Sequence, residues 1–321
     1  MAGPYWVGIY DSGHIYTWDV SSGVSKNLAA PLREGKAKGS SVSASGNGVY
    51  VASGGRDGRV KVWKASTGAC VQDLEHGSSW VTSVCFSGDG PYVASGGSDG
   101  RVKVWDASSG ACVKNLEHGG GMVWSVCFSG DGAYVASGGR DGRVKVWDVS
   151  SGACVKDLEH GRGVVCSVCF SGDGAYVASG GKDGRVKVWD ASSGACVKNL
   201  EHGGGRVFSV CFSDDGAYVA SGGADGRVKV WDASSGVCVK NLEHGDGSVR
   251  SVCYSGDGAY VASGGSDGRV KVWDASSGVC VKNLEVPSSQ HGPIRGICFL
   301  PGREAAVLAA GAVQLQSSLR F

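Results

Sequence analysis

An excess of charge of either sign is missing from this sequence. Its 321 residues carry 31 Lys and Arg against 30 Asp and Glu, a formal net charge of +1. That balance excludes the overall basicity by which a chain would coat nucleic acid or an anionic membrane. No run reaches the roughly 18 apolar residues needed for a membrane-crossing helix. The opening Met1-Ala2-Gly3-Pro4-Tyr5-Trp6 lacks a basic region followed by an apolar stretch, so no secretory signal is expected and the expected compartment is cytoplasmic. No helical period of useful length appears. Walker-type and dinucleotide glycine motifs are missing as well, and the Gly-Gly pairs follow strand-like runs without opening a helix.

Glycine is plentiful, 56 residues in all, but it follows no collagen-like triplet. It punctuates short apolar runs at regular intervals. The string Asp-Gly-Arg-Val-Lys-Val-Trp occurs six times, ending at Trp63, Trp105, Trp147, Trp189, Trp231 and Trp273, with successive tryptophans 42 residues apart. Trp18, 45 residues before Trp63, ends a degenerate seventh copy. A period of this length marks a repeat architecture.

Each unit reads as four strands. In 81–116, Val81 to Phe86 is one run, closed by Ser87-Gly88-Asp89-Gly90, and Tyr92 to Gly96 is a second, closed by Ser98-Asp99-Gly100. Arg101 to Trp105 alternates with period two, and Ala107-Ser108-Ser109-Gly110 turns the chain into Cys112 to Leu116. One such sheet cannot cover both its faces, so the copies must stack, and a ring leaves no open end.

Period, strand count and the terminal Trp-Asp resemble the WD-repeat family, over nearly the whole chain. The resemblance implies an all-β, seven-bladed β-propeller with four antiparallel strands per blade. It also implies a buried His, Ser, Asp and Trp tetrad in each blade. Those residue types recur as His76, Ser95, Asp99 and Trp105; His118, Ser137, Asp141 and Trp147; and His160, Ser179, Asp183 and Trp189. They recur twice more, as His202, Ser221, Asp225 and Trp231, and as His244, Ser263, Asp267 and Trp273. The copies also depart from the family pattern: 29–41 hold no His, and Lys64 follows Trp63 where Asp is expected.

Complete blades are expected over about 38–285 of a single propeller domain. The segment 5–28 supplies the second, third and fourth strands of a closing blade, and 291–299 supplies its first, with His291 aligned to His76. This closure removes the exposed edges. The runs Ala306 to Gly311 and Val313 to Gln316 leave the role of 300–321 open. They suit a tail, or the alternative of eight blades with partial terminal ones.

Chemical roles find little support. All but one of the seven histidines sit at equivalent sites, one per blade, and point into separate tetrads. Twelve of the 13 cysteines occupy two repeated positions, Cys85 and its equivalents on the first strand and Cys70 and its equivalents on the fourth. Both sets stand where apolar residues belong, so burial is expected. Cys166 and Cys169 form a nominal C-x-x-C without a second pair to complete a zinc site. Turns such as Gly88-Asp89-Gly90 are too sparse in carboxylates for a calcium loop. We therefore expect no metal, no cofactor and no enzyme.

The copies differ radically at three positions. The residue before the first strand is Lys38, Trp80, Met122, Val164, Arg206, Ser248 and Pro293. Two residues on, the series is Ser40, Thr82, Trp124, Cys166, Phe208, Arg250 and Arg295. Before the tetrad Asp it is Arg56, Ser98, Arg140, Lys182, Ala224 and Ser266. In a propeller all three lie on one face, whereas the opposite-face turn Ala-Ser-Ser-Gly hardly varies. The series predicts an apolar arc (Trp80, Met122, Trp124, Val164, Phe208) beside a basic one (Arg206, Arg250, Arg295, Lys38, Arg56), with Arg140 and Lys182 on the same face. Aromatics and arginines dominate protein interfaces. The expected function is a non-catalytic scaffold or recognition module, alone or as a subunit of a multiprotein assembly, whose partner brings an apolar anchor and an acidic or phosphorylated segment. The alternative is a binder of nucleic acid or a phosphorylated ligand through the basic arc. Ser108, Ser192, Ser234 and Ser276 stand where ligase-adaptor members of the family often carry Arg, which disfavours that role.

Overall fold

Alternation along each copy becomes a strand with one covered face. In Arg185–Asp190 the side chains of Val186 and Val188 are buried while Arg185 and Lys187 are half-buried. A computed structural model describes residues 5–19, 24–29, 39–88, 90–284 and 292–300. Within them lie seven four-stranded antiparallel sheets. We number the blades in chain order. Blade 1 runs from Gly39–Ala44 through Tyr50–Gly55 and Arg59–Lys64 to Cys70–Glu75. Blades 2 to 6 begin at Val81–Phe86, Val123–Phe128, Val165–Phe170, Val207–Phe212 and Val249–Tyr254. Blade 7 is composite: Ile294–Leu300 is its inner strand, followed by Tyr5–Tyr10, Ile15–Asp19 and Ser25–Ala29. Tyr5 pairs with Leu300, so the two ends of the chain share one sheet. Seven blades close the ring, the first strands lie innermost against one another, and residues 301–321 lie outside the described part.

The core sits between blades. Ala94, Val102, Val104 and Leu116 of blade 2 pack on Val123, Val126, Phe128, Val135 and Trp147 of blade 3, and this unit repeats around the ring. The Gly-Gly pair that closes each second strand answers this packing. A Cβ on Gly180 would meet Val207 Cγ1 of the next blade at 2.7 Å. A Cβ on Gly181 would meet His160 Nε2 at 2.5 Å and Asp183 Oδ1 at 2.6 Å. Neither position has room for a side chain.

His, Ser, Asp and Trp come together in blades 2 to 6, with the His to Asp hydrogen bond present in blades 3, 4 and 5 and only a 3.4 Å approach of His76 and His244 to Asp99 and Asp267 in blades 2 and 6. In blade 4, Trp189 Nε1 donates to Ser179 Oγ at 2.8 Å, His160 Nδ1 lies 2.8 Å from the same oxygen, and His160 Nε2 faces Asp183 Oδ1 at 3.4 Å. Trp to Ser to His to Asp is the donor sequence that gives every member a partner, with the imidazole neutral. Burial is the main cause holding each of the five histidines below its ordinary pKa, against the pull of the nearby Asp. Among the described residues, blade 1 keeps of this chain the bond from Trp63 Nε1 to Ser53 Oγ alone, 2.8 Å. In blade 7 the serine position is Gly8, whose missing side chain leaves room for the Trp18 ring, 2.7 Å from where a Cβ would be. His291, aligned with the tetrad histidines, lies outside the described residues.

The cysteines correct the expectation of burial. Cys70, Cys112, Cys154, Cys196, Cys238 and Cys280 are exposed, because the fourth strand is the rim of the ring and buries only its Leu, as at Leu116 or Leu158. Cys85, Cys127, Cys169, Cys211, Cys253 and Cys298 are half-buried along the channel, and Cys166 alone is buried.

Candidate functional site

The three variable positions meet through main-chain geometry. The amide of Ser98 donates to the carbonyl of Trp80 at 2.8 Å, that of Arg140 to Met122 at 2.9 Å, and that of Lys182 to Val164 at 2.9 Å. The first and third series therefore touch within each blade. The second series sits on a β-bulge. Val123 pairs with Gly139 and Ser125 with Gly138, leaving Trp124 without a partner on the neighbouring strand. The same shift recurs at Ser40, Thr82, Cys166, Phe208, Arg250 and Arg295. A bulged residue is released from the ladder and re-aimed. Here it points into the mouth of the channel, where the strand places no demand on its identity.

Below it runs a belt of serines. Ser83 Oγ accepts the Val126 amide of the next blade at 3.1 Å, and Ser41, Ser125, Ser167, Ser209 and Ser251 do the same at 3.0–3.1 Å. These six bonds tie the inner strands together and fix the floor beneath the variable side chains.

Variable residues and belt together line a cavity of about 370 Å³. Arg56, Trp80, Thr82, Met122, Trp124, Cys166, Arg206, Phe208, Arg250 and Arg295 all face it. Trp80 and Trp124 are 45% and 37% exposed, large for tryptophan on a protein otherwise well packed. Val164 is half-buried and lies outside this lining, as do the exposed Arg140 and Lys182. Lys38 lies outside the described residues. Arg56 departs from the basic arc: its guanidinium carbon stacks 4.5 Å from the centre of the Trp80 ring, on the apolar side. The apolar wall thus runs from Trp80 to Phe208, and the basic wall is Arg206, Arg250 and Arg295.

Phe208 joins the two walls. Arg206 and Arg250 lie 5.5 and 4.2 Å from its ring centre. Arg295 binds Asp11 through Nε and Nη2, both at 3.0 Å. Burial, then Arg295 and Arg206, pull the Arg250 pKa down. Burial also pushes the Cys166 thiol up to about 11, which keeps it protonated and weakly nucleophilic.

Asp11 was not among the sequence-derived candidates. Its amide donates to the Pro293 carbonyl at 2.9 Å, so it is the seventh member of the series before the tetrad Asp. Aligning Trp18 with Trp105 would have placed it there. The strand Tyr5–Tyr10 hides this register because it has lost the Tyr-Val-Ala-Ser-Gly-Gly wording.

The opposite face has its own cause of constancy. Asp190 Oδ1 accepts Ser192 Oγ, the Ser193 amide and Ser193 Oγ at 2.7–2.8 Å, and Gly194 adopts φ +80°. Those hydrogen bonds hold the Asp190 carboxyl at about 2. The Ala-Ser-Ser-Gly turn hardly varies because the turn needs its hydroxyls and its glycine, so its constancy is no measure of drift on the variable face.

The model for the WD domain, G-beta repeat, matches residues 34–64, 68–106, 110–148, 152–190, 194–232 and 236–274. The chain belongs to the WD-repeat family. No curated protein matches it in sequence. WD-repeat propellers are generally scaffolds for protein interaction and are typically non-catalytic. The matched repeats stop short of blade 7, where Trp6 and Trp18 are buried and the tetrad is lost.

Proposed function

We propose that this WD-repeat propeller is a non-catalytic recognition scaffold, a subunit of a multiprotein assembly, that holds a partner protein at the variable mouth of its channel. One observation carries the reading: the whole second series of diverging positions lines one cavity, joined by Trp80, Met122, Arg206 and Arg56 of the other two, with two tryptophans left in water beside an arginine cluster. An exposed apolar cluster of this kind is a liability for a protein that binds nothing there. The partner brings an apolar anchor to Trp80, Met122 and Trp124, and an acidic or phosphorylated segment to the basic wall. Six exposed thiols on the rim suit a reducing, cytosolic setting.

The test compares the parent with a Trp80→Ala, Trp124→Ala variant in affinity capture from a source lysate, with Ser108→Ala, Ser109→Ala as the opposite-face control. The mouth variant loses partners that the control keeps, at unchanged thermal stability. Retention of every partner by the folded mouth variant refutes the reading. A nucleic-acid ligand would need cations spread along a track, whereas three of the arginines gather at one corner.

A further inference from the structure

The basic wall is more specific than an acidic segment requires. Arg206 and Arg250 share the Phe208 ring, and the Arg250 charge is opposed by both Arg206 and Arg295. Among the described residues lining the cavity, Asp11 is the only carboxylate, and it is bonded to Arg295. Three guanidinium groups against one carboxylate leave a local charge of +2. Arg250 Nε is buried and has no hydrogen-bond partner among the described residues. A buried charged donor without a partner is costly, and like charges in a half-buried cavity raise that cost. An anion at this corner would offset both.

The charge count selects the anion. A carboxylate brings one negative charge, and so does a phosphodiester. A phosphate monoester brings about −1.5 to −2 at neutral pH and three acceptor oxygens, matching both the local +2 and the fork geometry of arginine. The corner is continuous with the wall of Trp80 and Trp124, where a chain-borne anchor would sit. We propose that Arg206, Arg250 and Arg295 form a subsite for a phosphate monoester carried on a serine or threonine side chain of the partner protein. This rests on the mouth being a protein-docking face, and it makes docking depend on phosphorylation of the partner.

The test is calorimetric titration of the intact chain at low salt with N-acetyl-phosphothreonine methylamide. The glutamate analogue, dimethyl phosphate and inorganic phosphate serve as comparison probes. The phosphothreonine probe binds at least tenfold tighter than the glutamate and diester probes, and tighter than inorganic phosphate. Arg250→Gln lowers its affinity at least tenfold, and Asp11→Asn raises it several-fold by removing the competing carboxylate. That gain is a result no unfolded variant can produce. Equal binding of the phosphothreonine and glutamate probes overturns the proposal, as does binding that survives Arg250→Gln in a folded protein. Tightest binding by inorganic phosphate assigns the corner to a free ion and overturns it too. The Trp80→Ala, Trp124→Ala variant keeps phosphothreonine binding, so retention of every partner by that variant counts against the scaffold reading alone and leaves the subsite standing.

Discussion

Removing one buried hydroxyl from blade 4 and from blade 1 separates the contribution of the tetrad histidine from that of the tryptophan. In blade 4, Ser179 is fully buried and its Oγ meets both Trp189 Nε1 and His160 Nδ1 at 2.8 Å. In blade 1, Ser53 is equally buried and, among the described residues, its Oγ meets Trp63 Nε1 alone, also at 2.8 Å, and the sequence supplies no histidine over 29–41. Each buried polar group stranded by a deletion costs about 1–3 kcal/mol. Ser179→Ala strands two such groups and is expected to cost about 2–6 kcal/mol, whereas Ser53→Ala strands one and costs about 1–3 kcal/mol. Both substitutions remove the same atom from the same strand position, so cavity and propensity effects nearly cancel. The assay is equilibrium urea unfolding followed by tryptophan fluorescence, comparing midpoints at matched slopes. Equal losses, or a larger loss for Ser53→Ala, would refute the view that the histidine bond contributes to stability.

Acidification should weaken the ring. The five tetrad histidines have folded pKa values pushed below the ordinary value of about 6.5. Their contribution is complete above that value and is lost as pH falls toward the folded values, at up to about 1.4 kcal/mol per pH unit for each histidine. Urea midpoints measured between pH 8 and pH 5 should fall steadily below pH 6.5, and a flat profile would contradict this. Gly180→Ala should cost about 1–3 kcal/mol through overpacking against Val207, read as a lower thermal midpoint. Maleimide should label Cys70, Cys112, Cys154, Cys196, Cys238 and Cys280 of the folded protein ahead of the seven inner thiols, as mapped by mass spectrometry. Cys166, buried and held protonated, should be among the last to react.

The architecture was legible because the chain states it six times. Alternation in Arg-Val-Lys-Val-Trp, a turn after every strand and an unvarying 42-residue spacing each point to the same sheet, and local and global signals agree. Cys112 was misjudged because sequence shows a strand without showing that it is the rim, where only Leu116 has a neighbour to pack on. Arg56 was assigned to the basic arc because a register gives a residue's face and not its rotamer; the ring of Trp80 on the adjoining blade draws the guanidinium across. The bulge under Trp124 was invisible for a related reason. It depends on pairing between strands, and the sequence of one strand carries no trace of it.

Closure of the ring by Tyr5–Tyr10 against Ile294–Leu300 sets the order of folding events. Six blades assemble from hairpins between strands that follow one another in sequence, contacts of low order that form fast. The seventh must bring together residues as far apart as Tyr5 and Leu300, at a loop entropy of about 5 kcal/mol before any bond is made there. The seam is therefore the slow step. A chain arrested before it would present the open edges of blades 1 and 6 to other chains, making folding yield more sensitive to protein concentration than the stability of the finished ring suggests.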